Sequence, residues 1–325
     1  MKEAELHPEG VPERKAVMLK VSARIHNRNG WRNIRRIFHP SDFSDASNVA
    51  FAHALKLAVA GRCELTILHT GSVSTGDARM DFPRVRRTLE QWEMLPPNSP
   101  KEAIAKLGLT VEKVALPYSD ALHSIRHFLT LHPHDLMVLA THQHDGYERW
   151  TRQQVAEPLA RKAAGMTLFV PYGTQGFVSP DTGDVRLASI LLPIDHLVDP
   201  TTAIMSAATL AETLGCGEAE ATLLHVGDRA SAPQIRLPEI GALKWRAMHR
   251  SGNVEDEILK AAQDYHADLI VMPTQGHHGF LDALRGSTTE RIVRHAACPV
   301  LAVSVHAPEP ELAIAEDLAT GRLAI

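Results

Sequence analysis

Cysteine is scarce in this chain of 325 residues, and Cys63, Cys216 and Cys298 form no C-x-x-C pair. That excludes a disulfide framework and fits thiols packed as small core residues in a reducing compartment. Aromatic residues make up only 5%, so the interior has to be built from Leu, Val, Ile and Ala. No run approaches the roughly 18 apolar residues of a membrane span, and the amino terminus has no apolar signal segment. Charge of neither sign dominates: the net charge is −4, which gives no footprint for nucleic acid or an anionic membrane. The basic clusters Arg32, Arg35, Arg36 and Arg84, Arg86, Arg87 read as solvated surface. Catalytic signatures are missing too. There is no G-x-x-x-x-G-K-[ST], no G-x-S-x-G and no base beside Ser287. These absences describe a cytoplasmic protein with neither nucleic acid nor membrane as partner and without catalytic residues.

What the chain does contain is itself, twice. Asp135–Leu168 lies over Asp268–Leu301 without a gap, with identical residues at 12 of 34 positions. Upstream, IFHPSDFSDAS (37–47) resembles ILLPIDHLVDP (190–200), and ELTILHTG (64–71) resembles ATLLHVGD (221–228). The period far exceeds the roughly 20–50 residues of solenoid repeats, so this is a duplicated domain. The organisation read from it is an amino-terminal arm (1–30), a first domain (31–171), a linker (172–186) rich in Gly, Pro, Ser and Asp, a second domain (187–305) and a carboxyl-terminal extension (306–325).

Within each half, short apolar runs alternate with helical stretches. The strands read as Arg36–His39, Glu64–His69, Thr110–Leu116, Leu136–Ala140 and Thr167–Val170. Their second-half counterparts are Ser189–Leu192, Ala221–Val226, Leu243–Met248, Leu269–Met272 and Val300–Val303. None alternates strictly, which marks sheets covered on both faces. Helices are expected over Ser44–Ala60 (capped by Ser44 or Asp45), Phe82–Leu95, Pro100–Leu107, Ser119–Thr130 and Gln154–Ala163, then Pro200–Leu214, Val254–Tyr265 and Ser287–His295. The pattern predicts two tandem α/β domains, each a doubly wound, Rossmann-like sheet of five parallel strands.

In such sheets ligands sit beyond the carboxyl ends of the strands at the switch in strand order. Three segments of the second half reach that edge. Pro193-Ile194-Asp195 ends the first strand; Asp195 can accept from a ribose or adenine group, or it can cap the adjoining helix. Val226-Gly227 ends the second strand as an apolar wall. Pro273-Thr-Gln-Gly276-His277-His278-Gly279 comes after the fourth strand and leads to Arg285-Gly286-Ser287-Thr288 at a helix start. Glycines let backbone approach an anion, and a helix amino terminus offers free N–H groups. That makes a phosphate cradle, against the plainer reading of an ordinary strand–loop–helix turn.

These segments, with ILLPID, LLHV and ADLIVMPTQGHHGFLDALRGSTTERIVRHAACPVLAV, resemble the universal stress protein family, its tandem-domain members in particular, over residues 36–171 and 187–304. ATP-binding members carry Gly-x2-Gly-x9-Gly-Ser/Thr, and Gly276-x9-Gly286-Ser287 has that spacing; Pro273 stands at the first glycine and lacks its N–H. The resemblance implies a stress-response or regulatory protein with ATP, or ADP or AMP, with or without Mg, in the second domain; a slow ATPase is an alternative. Pro193 and Asp195 would meet the nucleoside, Val226 and Met272 would flank it, and Pro273, Gly276, His277, Gly279, Gly286, Ser287 and Thr288 would surround the phosphates. It also implies a pseudo-dimer of the two domains, with Thr167–Val170 meeting Val300–Val303, and leaves a homodimer open. In the first half the loop positions are Ala140, Gln143, Gln153 and Gln154, and long side chains would fill the phosphate site while Asp42 persists.

Histidine supports a different alternative. His123 and His127 stand at i, i+4, with His132, His134, His142 and His144 nearby among 19 in the chain. Zinc accepts such ligands, which would make the chain a metal-binding or scaffold protein with vestigial pockets; solvated helix ends are the other reading.

Overall fold

A computed structural model of the chain describes residues 34–71, 82–117, 128–141, 166–174, 176–235, 237–238, 243–274 and 288–305. The first half contributes strands β1 (Arg36–Pro40), β2 (Glu64–Gly71), β3 (Thr110–Pro117), β4 (Leu136–Thr141) and β5 (Met166–Pro171). The second contributes β6 (Ser189–Pro193), β7 (Glu220–Val226), β8 (Lys244–Arg250), β9 (Leu269–Thr274) and β10 (Val300–Ser304). Helices among the described residues are α1 (Asp45–Gly61), α2 (Val85–Gln91), α3 (Ala103–Lys106), α4 (Thr201–Thr213), α5 (Val254–Asp264) and α6 (Thr288–His295). Ser44 caps α1 by accepting from the Ser47 N–H, as its residue type favours.

All ten strands form one sheet in the order β3-β2-β1-β4-β5-β10-β9-β6-β7-β8. Neighbours are parallel except β5 and β10, which run antiparallel. Each half is therefore doubly wound, turning back between its first and fourth strands, and the closing strands join the halves edge to edge. Val300, Leu301, Ala302 and Val303 face Phe169, Leu168, Thr167 and Met166. The tandem pseudo-dimer expected from sequence is what forms, and neither closing strand is left as a bare edge.

Both faces are covered over the inner strands, which is why those read as apolar runs, while the edge strands β3 and β8 carry charged residues. On one face Leu65, Val138, Leu192 and Val271 pack with Leu55 of α1 and Ile204 of α4. On the other, Phe38, Leu68, Leu191, Leu224 and Met272 pack with Ile258 of α5 and Ile292 of α6.

Three sequence expectations are modified. The helix expected over Phe82–Leu95 is only α2: Glu93 turns into the left-handed region at φ 56. The one over Pro100–Leu107 shrinks to α3, ahead of Gly108 at φ 76. The pairings Arg36 with Glu64 and Ser189 with Glu220 shift the second-strand alignment by one residue; Glu64 then matches Glu220, and His69 matches His225. Gln154–Ala163 and most of Ser119–Thr130 lie outside the described residues, though residues 128–131 are helical.

The segment joining the halves is more than a tether. Phe177 and Val178 are buried, and their N–H groups donate to His53 Nε2 at 3.1 and 3.2 Å. His53 Nδ1 is 2.9 Å from Val49 O, so Nδ1 carries the proton and Nε2 accepts. Gly176, at φ +63, passes so close that a Cβ there would stand 2.3 Å from His53 Nε2. Trp92 Nε1 donates to Pro180 O at 3.0 Å and Gln91 Nε2 to Asp181 O at 2.9 Å. The helical insertion peculiar to the first half thus grips the connection. Turn-rich composition signals loop geometry but says nothing of what the loop packs against.

Candidate functional site

The site begins with two carboxylates that the duplication repeats. Asp268 Oδ2 accepts from the N–H groups of Ala188 and Ser189 at 2.7 and 2.9 Å, tying the start of β9 to that of β6. Asp135 does the same for Arg35 and Arg36 at 2.8 and 2.9 Å. Beyond this clasp, β6 and β9 pair only at Ile190–Leu269 and Leu191–Ile270. β6 stays paired with β7 through Pro193, and β9 with β10 through Thr274. The sheet is held closed at the amino ends and parts toward the carboxyl ends, which opens a crevice at the switch point.

The loop on the β6 side is fixed at both polar groups of one residue. The Ile194 N–H donates to Leu224 O at 2.8 Å, and Ile194 O lies 3.3 Å from His225 Nδ1. Asp195 comes next, half-buried, with Oδ1 accepting from Leu197 and Val198 N–H at 2.8 and 3.0 Å. These bonds close a turn and do not cap α4, which starts at Thr201 and has its first N–H bound by Asp199 instead. A carboxylate has lone pairs beyond those two bonds.

Strand alternation sorts the remaining residues. Met272 belongs to the core cluster on the α5–α6 face and Val226 packs against it. Leu191 is on that face and Leu192 on the opposite one, so Pro193 returns to the side of Met272. α6, which starts at Thr288, lies over the same face through Ile292 and Val293. Pro193, Val226, Met272 and the start of α6 therefore share one side of the sheet. Pro273 faces the other side, beside Val271. The Ile270 N–H donates toward β10, to Pro299 O, so backbone alternation aims position 273 toward β6, where the strands have parted. Proline is accommodated there because no ladder bond is lost. Gly276, His277, Gly279, Gly286 and Ser287 lie outside the described residues.

The first half has the same crevice: β1 and β4 pair only at Ile37–Leu136 and Phe38–Met137. Ser41 N–H donates to Leu68 O at 2.8 Å, and His69 Nδ1 lies 2.7 Å from Ser41 O. Asp42 Oδ1 accepts from the N–H and hydroxyl of Ser44 at 3.0 and 2.6 Å. The paired histidines His69 and His225, and the clasps Asp135 and Asp268, escaped sequence reading. The signal was present: the aspartates head the gapless alignment, and the histidines match once β2 and β7 are in register.

Of the histidines considered for a metal, His132 stacks on Phe128 and His134 is buried against Phe38, its pKa pushed down to about 4 by burial. His123, His127, His142 and His144 lie outside the described residues. Among the described residues, no three His, Cys, Asp or Glu side chains are grouped to hold a metal ion, and no helix is long and apolar enough to cross a membrane.

A tandem, doubly wound α/β fold with a crevice at each switch point defines a small class of proteins. The sequence model of the universal stress protein family matches residues 33–171 and 235–304, and the chain belongs to that family. It is 36% identical over 81 residues to a universal stress protein of Methanocaldococcus jannaschii, covering 25% of this chain and 48% of that one. Over 53 residues it is 47% identical to a universal stress protein A homolog of Coxiella burnetii, covering 16% of this chain and 36% of the other. The chain thus spans about half, or less, of the length of these curated relatives. Among solved structures, a universal stress protein from Archaeoglobus fulgidus superposes with a TM-score of 0.53 at 15% identity, covering 84% of this chain and all 100% of its own. A functionally unknown protein from Pseudomonas aeruginosa gives 0.52 at 14% identity, covering 90% and 99%. At these identities the likeness is one of fold.

Proposed function

We propose that this is a stress-response regulatory protein of the cytoplasm that holds ATP, or another adenine nucleotide, in its second domain. The observation that carries the reading is the crevice between β6 and β9, clasped shut at one end by Asp268, with Pro193, Val226 and Met272 together on one side of the sheet toward the other. An apolar slot of this kind suits a nucleoside, with Asp195 at its rim for a hydroxyl or amine. The phosphates then reach toward the loop carrying Gly276, His277, Gly279, Gly286 and Ser287, and toward Thr288 at the start of α6, where N–H groups and the helix dipole favour anions. Pro273 withholds one backbone donor from that cradle. Mg would accompany the phosphates rather than be bound by a protein cage.

The first domain (31–171) retains the crevice but not the counterparts of Gly276 and Gly286. Gln143, Gln153 and Gln154 stand at the loop positions, so this half acts as the structural partner of the second domain (187–305). Catalysis is not part of the reading. In-line phosphoryl transfer needs a positioned water and concentrated positive charge, and the chain carries no P-loop lysine. Free thiols fit the compartment: Cys63 and Cys298 are pushed up to about 11 and about 12 by burial, which leaves them unreactive.

The test is mass spectrometry of small molecules released when the purified protein, incubated with ATP and Mg and then desalted, is denatured. An adenine nucleotide near one per chain is expected. None at all would overturn the reading, and steady release of inorganic phosphate would make the protein an ATPase.

A further inference from the structure

A histidine of β7 reaches across to the loop that presents Asp195, and we infer that His225 is the positioning residue of the nucleotide site. The inference rests on the function proposed above and adds a residue to it. His225 is the penultimate residue of β7, one position before Val226. Its Nδ1 is 3.3 Å from Ile194 O, the carbonyl immediately before Asp195. Its Nε2 is 3.1 Å from Asp228 O and 3.2 Å from Ser231 Oγ, in the turn after β7. One ring thus ties the rim of the crevice at β6 to the rim at β7. His249 on β8 buttresses the same turn: its Nε2 is 2.8 Å from Gly227 O, and its ring lies 5.8 Å from that of His225.

A second observation comes from the duplication. His69, the counterpart of His225, has Nδ1 2.7 Å from Ser41 O, the carbonyl before Asp42. The same contact thus holds the same residue of the repeat, although the loops it fixes differ, SDFSD against IDHLVD. The brace requires the proton on Nδ1; Nε2 stands beside Asp228 O and the Ser231 hydroxyl, which itself donates to Asp228 O at 2.7 Å. Without the ring, the Ile194 carbonyl loses its partner and the Asp195 loop its link to the β7 turn. The distance between the acidic rim and the Val226 wall is then no longer set. A misplacement on the order of 1 Å is enough to weaken a site of this kind severely.

Three variants test this in the full chain, with calorimetry using ATP and Mg and with NMR. His225→Ala is expected to weaken nucleotide binding at least tenfold. His69→Ala removes the equivalent, shorter contact from the other half and is expected to leave affinity within twofold. His225→Asn, whose amide nitrogen replaces Nδ1, is expected to recover most of the loss. Equal losses in His225→Ala and His69→Ala would reduce the effect to general destabilisation, and no loss in His225→Ala would overturn the inference. NMR separates this from the nucleotide reading, because it needs no ligand. The expected signature is an Nδ1-protonated His225 ring, with Leu197 and Val198 amide resonances that move in His225→Ala but not in His69→Ala. An Nε2-protonated ring, or unmoved amides, would refute the brace even if nucleotide binds. Shifted amides without any nucleotide binding would leave the brace standing and sink the nucleotide function.

Discussion

Leu168 and Leu301 are the same residue of the repeat, and they face each other across the antiparallel pair β5–β10. The alignment that sets Asp135 over Asp268 ends on these two leucines, so the pseudo-twofold axis runs between them. They are 1% and 0% exposed. The two halves therefore form one continuous sheet and should unfold together. Leu301→Ala is expected to cost about 2–5 kcal/mol in a single urea transition. Two separate transitions would show that the halves are independent units.

Acid should loosen the protein through its buried histidines. His39, His53 and His134 are pushed from 6.5 down to about 4, in each case chiefly by burial. The folded state disfavours their charged forms, so the unfolded chain takes up protons first as pH falls. Their stabilising effect is complete above about pH 6.5 and declines toward pH 4, by on the order of 3 kcal/mol per residue. His53→Gln keeps an acceptor near the Phe177 and Val178 N–H groups but takes up no proton. Chemical denaturation at pH 7 and near pH 4.5 should show a smaller acid loss in this variant; an unchanged loss would remove His53 from the account.

Pro273 gives a gain-of-function prediction. Its position faces the parted strands, where an N–H could serve a phosphate. Pro273→Gly should tighten ATP binding about fivefold, the value of one additional hydrogen bond near 1 kcal/mol. Weaker binding in a folded variant would mean that the proline ring itself lines the site.

Gly286→Val should act in the opposite direction. A branched side chain at the loop would hold a phosphate off the backbone, and losing about 3 kcal/mol lowers affinity more than a hundredfold. A folded Gly286→Val variant with unchanged affinity would place the ligand elsewhere.

Much of this molecule is legible in its sequence, because burial on both faces leaves a plain record. Runs such as LIVMPT and MTLFVP are apolar at successive positions and mark the inner strands, whereas the edge strands β3 (TVEKVALP) and β8 (KWRAMHR) mix charged and apolar residues. The resemblance to the universal stress protein family then supplies the pairing of β5 with β10. Contacts made by ordinary residues at long range are not legible. Nothing in His53 announces two N–H donors from residues more than a hundred positions away, and the connector's turn-forming composition hides its anchors on Gln91 and Trp92. His225 and His69 escape for a narrower reason: a one-residue slip in aligning β2 with β7 keeps them out of register.

The central claim is that one half binds nucleotide and the other supports it. The measurement that meets it most directly is the stoichiometry of ATP binding to the full chain by isothermal titration calorimetry, with Mg present. The account predicts about one site per chain, lost in Gly286→Val and retained in Gln153→Ala. Two equivalent sites, or no binding by a folded protein, would contradict it.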